Sequence, residues 1–457
     1  MGMGRRKQQR QEVFWIPADA LPGTPRHVFY EKLNRLLDEA DFDRFVEALC
    51  EPYYAGEQEP GRRSIPPGVY FRMLLIGYFE GIDSQRGIAW RCGDSRSLGS
   101  FLGYGADEAT PDHSSLARIR DRLPRSVHEQ VFARVLAIAE KHGLLSGKTV
   151  AVDSTTLEAN AAMKSIVRRD TREDWREYVA RLAAEEGVEV EDEKDLRRFD
   201  KKRKGKKVSN AAWKSSTDED ARIVKMKDGR TRLGYKAEHA IDLASELIVE
   251  ATVHHGTEGD AETLVEGVIK GQANLIRAGS ETNIEEVVAD AGYHKNATLA
   301  ECEAWGVRTY LPESDRGKRR WSDKPSEWEA AFRANRRRVR GPRGKRLGRL
   351  RSERVERSFA HVCETGGARR SWLRGLEKIN KRYLIQTAAH NLAILMRALF
   401  GVGKPRCLQG TGSLSAALRC LPQLASECLQ RLPTPLPIPK HDPSHLNPLR
   451  GTLRLAA

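Results

Sequence analysis

Cysteine is scarce in this chain, and its few copies are scattered. The seven cysteines are odd in number and include no Cys-x-x-Cys pair, which argues against a disulfide framework and against a zinc knuckle. No run of about 18 apolar residues occurs, and the basic N-terminus MGMGRRKQQRQEVFW lacks the apolar core of a signal peptide. We therefore expect a cytoplasmic protein with no membrane segment.

Acidic residues are too few to balance the basic ones. The 457 residues include 78 Lys and Arg against 63 Asp and Glu, which gives a net charge of +15. This surplus predicts a polyanionic partner, although ribosomal, membrane-surface and DNA-binding proteins all share it. The length is sufficient for two or three domains.

Changes in composition and periodicity divide the chain into four predicted parts. A basic arm covers residues 1–26, and apolar residues at helical spacing predict an all-α domain over 27–146. From residue 147 to about 400 short apolar strands alternate with helices, interrupted at about 164–230 by a charged insertion that we interpret as a hairpin or mobile arm. The Pro-rich tail at 401–457 has no clear period, and we expect it to be disordered.

The order of elements after residue 147 predicts the fold class. A strand at 148–153 is followed by a hairpin (232–243 and 247–256), a helix, a strand at 284–290, a helix and a final strand. This is the order of an α/β, ribonuclease-H-like mixed sheet, in which the first and fourth strands can lie side by side. In open α/β sheets, ligands gather at the carboxyl ends of the strands.

Three separated carboxylates are the candidate catalytic residues. Asp153 in TVAVDST and Asp290 in EEVVADAGYH follow apolar strands, and Glu356 in SERVERSF lies in a helical run. Taken singly, each has an ordinary interpretation as a turn former, a helix cap or a surface residue. Their order on strand, strand and helix, with spacings of 137 and 66 residues, favours a common site.

Carboxylates in this arrangement suit Mg²⁺, which is a hard cation that prefers oxygen ligands. Two such ions about 3.5 to 4 Å apart can activate the nucleophile and stabilise the leaving group of a phosphodiester. We expect Asp153 to bridge both ions and Asp290 and Glu356 to hold one each, with Mn²⁺ as a substitute metal.

A basic segment leads directly to Glu356. Residues 333–351 contain ten Lys or Arg and no acidic residue, so this segment repels itself unless an anion neutralises it. The cluster at 201–207 is similar, and we expect both segments to contact the DNA backbone. The predicted DNA-binding residues are Arg336, Arg337, Arg338, Arg340, Arg343, Lys345, Arg346, Arg354, Arg357, Arg369, Lys204 and Lys206.

Five ordered blocks resemble the DDE transposases of bacterial insertion sequences. They are TPDHSSLARIRDRL, VAVDSTTLEANA, YKAEHAIDLASELIV, VADAGYHKN and VERSFAHVCETGGARR. The resemblance spans about residues 27 to 400. It implies that Asp153, Asp290 and Glu356 correspond to the family's catalytic triad with Mg²⁺ as the metal. It further implies that the substrates are double-stranded DNA with terminal inverted repeats and a target DNA, and that the active complex is a homodimer.

The chain departs from the family's pattern around the third carboxylate. Many relatives carry a tyrosine and an arginine before it and a lysine seven residues after it, whereas here Ser352 lies four residues before Glu356 and Cys363 seven after. The alternatives for the missing basic roles are Arg351, Arg354, Arg357 and Arg369.

Two other functions fit the same sequence features. One is a DNA-binding regulator that has the fold without the chemistry, and the other is a metal-dependent nuclease that cuts without joining. The first predicts DNA binding that does not depend on Mg²⁺ or on Asp153, and the second predicts cut ends that never join.

Overall fold

Seven helices precede the first strand in the part of the chain that the structure describes. The structure is a computed structural model, and it describes residues 27–54, 64–105, 107–204, 208–226, 228–314 and 319–405. The helices are α1 (Val28–Glu39), α2 (Phe42–Cys50), α3 (Pro67–Glu80), α4 (Gln85–Asp94), α5 (Arg96–Phe101), α6 (His113–Arg122) and α7 (Arg125–Lys141). The predicted arm at 1–26, Lys206 and residues 406–457 of the predicted tail lie outside the described residues.

Local sequence signals account for the starts of four of these helices. Pro67 occupies the first position of α3, where its missing N–H costs nothing. The side chains of Ser84, Ser95 and Asp112 accept hydrogen bonds from backbone N–H groups at the starts of α4, α5 and α6. Every residue from 68 to 79 of helix α3 is buried, including Arg72, so α3 forms the centre of the helical region.

The eight strands form one six-stranded sheet and one two-stranded sheet. The strands are β1 (Thr149–Glu158), β2 (Ile166–Arg168), β3 (Trp213–Ser215), β4 (Arg222–Lys225), β5 (Thr231–Asp242), β6 (Ile248–His255), β7 (Glu286–Val288) and β8 (Arg308–Tyr310). Strand β5 pairs antiparallel with β1, β6 and β4, whereas β7 pairs parallel with β1 and with β8. The order β6-β5-β1-β7-β8 has the mixed arrangement predicted for a ribonuclease-H-like sheet, and it confirms the predicted fold class.

Strand β1 is longer than the sequence predicted. The predicted strand ended at Asp153, but β1 continues to Glu158, because residues 150–158 pair without a break against residues 234–242 of β5. The parallel partner β7 covers only residues 149–151 of β1. Asp153 therefore lies inside β1, just beyond the point where β7 ends.

Helices cover both faces of the large sheet. The helices that follow β1 are α8 (Trp175–Glu185), α9 (Glu193–Lys202), α10 (Asp260–Arg277), α11 (Asn296–Ala304), α12 (Ser326–Arg340), α13 (Pro342–Phe359) and α14 (Leu376–Phe400). Thr263 of α10 contacts Glu238 on one face, whereas Ser358 of α13 and Tyr383 of α14 contact His239 on the other. Because neighbouring residues in a strand point to opposite faces, these contacts place α10 on one face and α13 with α14 on the other.

The charged insertion is a folded unit in its described part. Helices α8 and α9 pack on each other, and β2 pairs with β3. The guanidinium of Arg168 stacks over the rings of Tyr178 and Trp213, which ties α8 to the small sheet.

The described residues share one apolar core. It extends from Phe29 in α1 through the sheet to Met396 in α14. The predicted domain boundary at residue 146 falls between α7 and β1, and it stays a prediction. No helix in the described ranges combines the length and the apolar composition needed to cross a bilayer.

Candidate active site

Asp153 and Asp290 lie close together at the edge of the paired part of β1 and β7. The Asp153 carboxylate accepts a hydrogen bond of 2.8 Å from the backbone N–H of Ser154. Asp290 follows β7 and caps a short 3₁₀ turn, where it accepts a hydrogen bond of 2.9 Å from the N–H of Gly292. Two of the three predicted catalytic residues are therefore brought together by parallel pairing of β1 with β7.

One guanidinium joins the two carboxylates. Arg351 of α13 places its Nη2 2.7 Å from Asp153 Oδ2 and 3.7 Å from Asp290 Oδ2. The Arg351 side chain is only 14% exposed, and its Nε is buried without a hydrogen-bond partner among the described residues. A single positive charge thus lies between two negative ones.

A further carboxylate, Asp260, supports this pair from the start of α10. Its Oδ1 accepts hydrogen bonds from Ser154 Oγ at 2.8 Å and from the buried Lys236 Nζ at 3.2 Å. Its Oδ2 and Asp290 Oδ1 both lie within 3.0 Å of the position that a Cβ would take at Gly292. Glycine at this position therefore lets the two carboxylates approach each other.

Glu238 holds the 3₁₀ turn after Asp290 in place through a hydrogen bond from Tyr293. Its Oε2 accepts hydrogen bonds from Thr263 Oγ1 at 2.6 Å and from the Tyr293 hydroxyl at 3.0 Å. Burial raises the pKa of Glu238 to about 6, against the opposing effect of these hydrogen bonds. Burial and the nearby carboxylates also raise the pKa of Tyr293, so its hydroxyl stays protonated and donates. The contact holds Tyr293, three residues after Asp290, in a fixed place.

Glu356 is not brought to the carboxylate pair. The side of α13 that faces the sheet carries Leu347, Arg351, Val355 and Phe359, at the spacing of one helical face. Glu356 follows the fully buried Val355, so it is turned about 100° away from that face. Its side chain is exposed and makes no hydrogen bond or ion pair with the described residues.

The described residues offer part of a metal site. Asp153 and Asp290 supply only oxygen donors, as Mg²⁺ requires, and their common position already holds a positive charge. Within the described ranges, however, no three His, Cys, Asp or Glu side chains are grouped so that they could hold a metal ion. The two aspartates therefore fit a divalent cation, and the third ligand is not yet in place.

Many of the predicted DNA-binding residues are engaged within the protein. Arg343 forms a fork of 3.0 and 2.5 Å with the buried Glu286, and Arg336 forms one of 2.6 and 2.8 Å with Glu313. The other engaged residues are Arg338 (with Thr309 and Glu303), Arg354 and Arg357 (both with Glu246) and Arg369 (with Glu364 and Thr155). Carboxylates of the protein thus pair with several arginines of the basic segment that the sequence assigned to an external anion.

The remaining basic residues point into solvent. They are exposed and make no ion pair within the described ranges: Arg337, Arg340, Lys345, Arg346 and Lys204. Four of them lie on α12 and α13, the helices that lead to Arg351. These residues carry the positive charge that is available to a phosphate backbone.

Sequence reasoning missed Asp260 and Glu238, and it named Arg351 only as one of four alternatives. Asp260 could have been identified from the sequence, because it follows Gly259 and begins the helix after the second hairpin strand. Glu238 had a weaker signal, since it is an acidic residue in the middle of a predicted strand. Asp242 ends β5 at the hairpin turn, where its carboxylate accepts hydrogen bonds from Ser146, Ala244 and Ser245.

Two transposase families match separate parts of the chain. The transposase domain (DUF772) matches residues 19–122, and the transposase DDE domain matches residues 281–396. The second match contains Asp290 and Glu356, whereas Asp153 lies between the two matches. No match to the chain is found among curated proteins.

The helical N-terminal match, the mixed sheet and the DDE match together define a polynucleotidyl-transferase-type enzyme that binds DNA. More particularly, the two matched parts of the chain are similar to the domains of insertion-sequence DDE transposases.

Proposed function

We propose that this transposase cuts and joins the ends of an insertion sequence by phosphodiester hydrolysis and strand transfer. The observation that supports this proposal is the pair of Asp153 and Asp290 around one cationic nitrogen, at the edge of a ribonuclease-H-like sheet. Water attacks the phosphorus, the P–O3′ bond breaks, and the 3′-hydroxyl is released. That hydroxyl then attacks a phosphate of the target DNA in the same site, so each bond formed replaces one broken.

The proposed cofactor is a pair of Mg²⁺ ions, with Mn²⁺ as a substitute. Asp153 would contact both ions, and Asp290 and Glu356 would hold one each. When bound, such ions lower the pKa of the attacking water and neutralise the charge that develops on the phosphate. Asp260 and Glu238 keep the two aspartates in place through Ser154 and Tyr293.

Glu356 has to change position to complete this site. It directly follows Val355, which faces the sheet, so a rotation of the helix by about 100° would bring Glu356 to the sheet face. The turn after α13, Ala360–Thr365, is a π-helix, which is a wider and less stable form that often occurs at functional sites. We infer that this turn absorbs the rotation when DNA and metal bind.

The proposed substrates are the terminal inverted repeats of the element and a target DNA, bound by a homodimer. The helical region α1–α7 would recognise the repeats, and the exposed residues of α12 and α13 would contact backbone phosphates near the carboxylates. We retain the domain division at residues 146 and 400 as part of this proposal.

The test uses linear DNA that carries the candidate terminal repeats, incubated with the purified protein and Mg²⁺ beside a target plasmid. We expect nicking at the repeat ends and joined products. Asp153→Asn, Asp290→Asn and Glu356→Gln should each reduce both products at least about a hundredfold. Glu353→Gln is the matched control, because it makes the same charge change on the exposed side of the same helix, and it should retain both.

Each alternative function predicts a different result. A nuclease would give cut ends without joined products, and a regulator would bind the repeats equally well with and without Mg²⁺ and produce no cuts. If the wild-type protein neither nicks nor joins, the proposal is wrong.

A further inference from the structure

The contact of Arg351 with the carboxylate pair differs from the contact that Arg343 makes on the same helix. Arg343, two turns earlier in α13, uses Nε and Nη2 together on both oxygens of Glu286. The shortest contacts of Arg351 with both aspartates are made by Nη2, and its Nε is buried without a hydrogen-bond partner among the described residues. A guanidinium that serves a purely structural role normally satisfies its planar fork. The Arg351 contact is therefore incomplete on the arginine side.

On the carboxylate side, one guanidinium contacts two acidic groups. Arg351 supplies one positive charge, at 2.7 Å from Asp153 and at the longer distance of 3.7 Å from Asp290. Two carboxylates that share a site repel each other unless their charge is balanced. A divalent cation would balance both charges, and it would bind oxygen at a shorter distance than a guanidinium does.

We propose that Arg351 is a positioning residue that holds Asp153 and Asp290 together in the free enzyme, and that a divalent cation displaces its guanidinium from them. This inference rests on the proposed function, because it takes the two aspartates as metal ligands. The guanidinium and the cation compete for the same oxygens, since two positive centres at adjacent positions repel each other.

The partner of the displaced guanidinium would be a phosphate of the bound DNA. Helix α13 also carries the exposed Lys345 and Arg346, which would lie along the DNA backbone. An arginine side chain that leaves the two aspartates on this helix can pair with a non-bridging oxygen of the phosphate at the site. Arg351 thus exchanges a carboxylate partner for a phosphate partner as the cation and the DNA bind.

The test measures Mn²⁺ binding to the full-length protein without DNA, by electron paramagnetic resonance of the free ion. Arg351→Gln should bind Mn²⁺ roughly tenfold more tightly than the wild type, because the competing charge is gone. Arg349→Gln is the matched control: it removes the same charge from an exposed position of α13, and it should change the affinity less than about twofold. Arg351→Lys keeps the charge without the fork, and its affinity should lie between those of the wild type and Arg351→Gln.

A second measurement confirms that the variant is folded and reports the positioning role itself. Without metal, Arg351→Gln should unfold at a lower temperature than Arg349→Gln, and saturating Mn²⁺ should close most of this gap. An affinity of Arg351→Gln equal to or below that of Arg349→Gln would overturn the inference. Asp153→Asn tests the proposed metal site separately from the role of Arg351. If this variant binds Mn²⁺ as well as the wild type, the proposed metal site is wrong, whatever Arg351 does.

The proposed destination is tested with DNA. In the presence of Ca²⁺, Arg351→Gln should flatten the dependence of DNA affinity on salt by about one phosphate contact. In EDTA the slopes of the variant and the wild type should agree, because the guanidinium is then held by the aspartates. An equal loss of slope in both buffers would show that Arg351 contacts phosphate without alternating.

Discussion

The carboxylate of Glu238 is buried beside Tyr293 of the site. Its raised pKa predicts how the stability of the protein depends on pH. Burial raises the pKa of Glu238 to about 6, above the value of about 4.3 for an unfolded glutamate. The folded protein therefore binds an extra proton between these pH values. The stability that Glu238 gains from this proton is fully present below about pH 4 and is lost as the pH rises through about 6.

Glu238→Gln should remove this penalty while keeping an oxygen that accepts from Thr263 and Tyr293. We expect the variant to exceed the wild type in free energy of unfolding by about 2 kcal/mol at pH 8, and to match it near pH 4.5. Urea unfolding at both pH values measures the difference. Glu262→Gln, at an exposed position in the first turn of α10, should show no such dependence on pH. A Glu238→Gln difference that is the same at both pH values would contradict the assigned pKa.

Single residues were predictable from sequence where a local pattern identified them. Asp153 and Asp290 both follow short β-type runs in the sequence; Asp153 lies in β1 and Asp290 two residues after β7, and these two strands pair in the structure. Asp260 was missed because its role comes from Ser154 and Lys236, which are far from it in sequence and reach it only through the sheet. The position of Arg351 has the same origin, since a basic segment does not reveal which of its members turns inward.

At the scale of elements, the order of strands was predictable and their extents were less so. Strand β1 continues past Asp153 because β5 is long enough to pair with it as far as Glu158, a tertiary cause that no local signal carries. The orientation of α13 is similar. Val355 and Phe359 are four residues apart, so they lie on one helical face, and the structure buries them. Glu356 directly follows Val355 and lies on another face, which the expectation of a preassembled triad did not take into account.

Helices α12 and α13 divide their basic residues into two sets, which should respond differently to substitution. Arg337, Arg340, Lys345 and Arg346 are exposed, so replacing all four by Gln should lower the slope of log K against log salt for DNA binding by about 3 to 4. The fold should be unaffected, because surface substitutions change stability little. The measurement is a salt titration of DNA affinity.

The control for this prediction is Arg343→Gln, which breaks the fork to buried Glu286. It should reduce stability by about 2 kcal/mol, because it removes two hydrogen bonds to a buried carboxylate and leaves it with the longer contact of 3.5 Å to Arg308, and it should change the salt slope by less than one contact. If the fourfold variant keeps the wild-type slope, α12 and α13 do not lie on DNA.

At the scale of the whole molecule, α14 joins the helical region to the sheet. It packs against α3 and α7 on one side and against β6 on the other. Its side chains also complete the free edge of β6. Asn391 accepts from the N–H of Ile248 at 2.9 Å and donates to its carbonyl at 2.8 Å, and Asn380 makes the same pair of bonds with Val253 at 2.8 Å each. Covering an edge strand in this way protects it from pairing with other chains.

This arrangement predicts that the helical region and the sheet unfold together, because both depend on one buried helix. Asn391→Leu removes two hydrogen bonds and leaves the buried N–H and carbonyl of Ile248 unpaired. The expected loss is about 2 to 4 kcal/mol, and far-UV circular dichroism and tryptophan fluorescence should report one common transition. Thr387→Val is the matched control. It is buried in the same helix, but its hydroxyl bonds only to α14's own carbonyls, so the loss should stay near 1 kcal/mol. Two separate transitions in the wild-type protein would instead show that residues 27–146 fold independently, as the predicted domain division allows, and that α14 does not make the two regions cooperative.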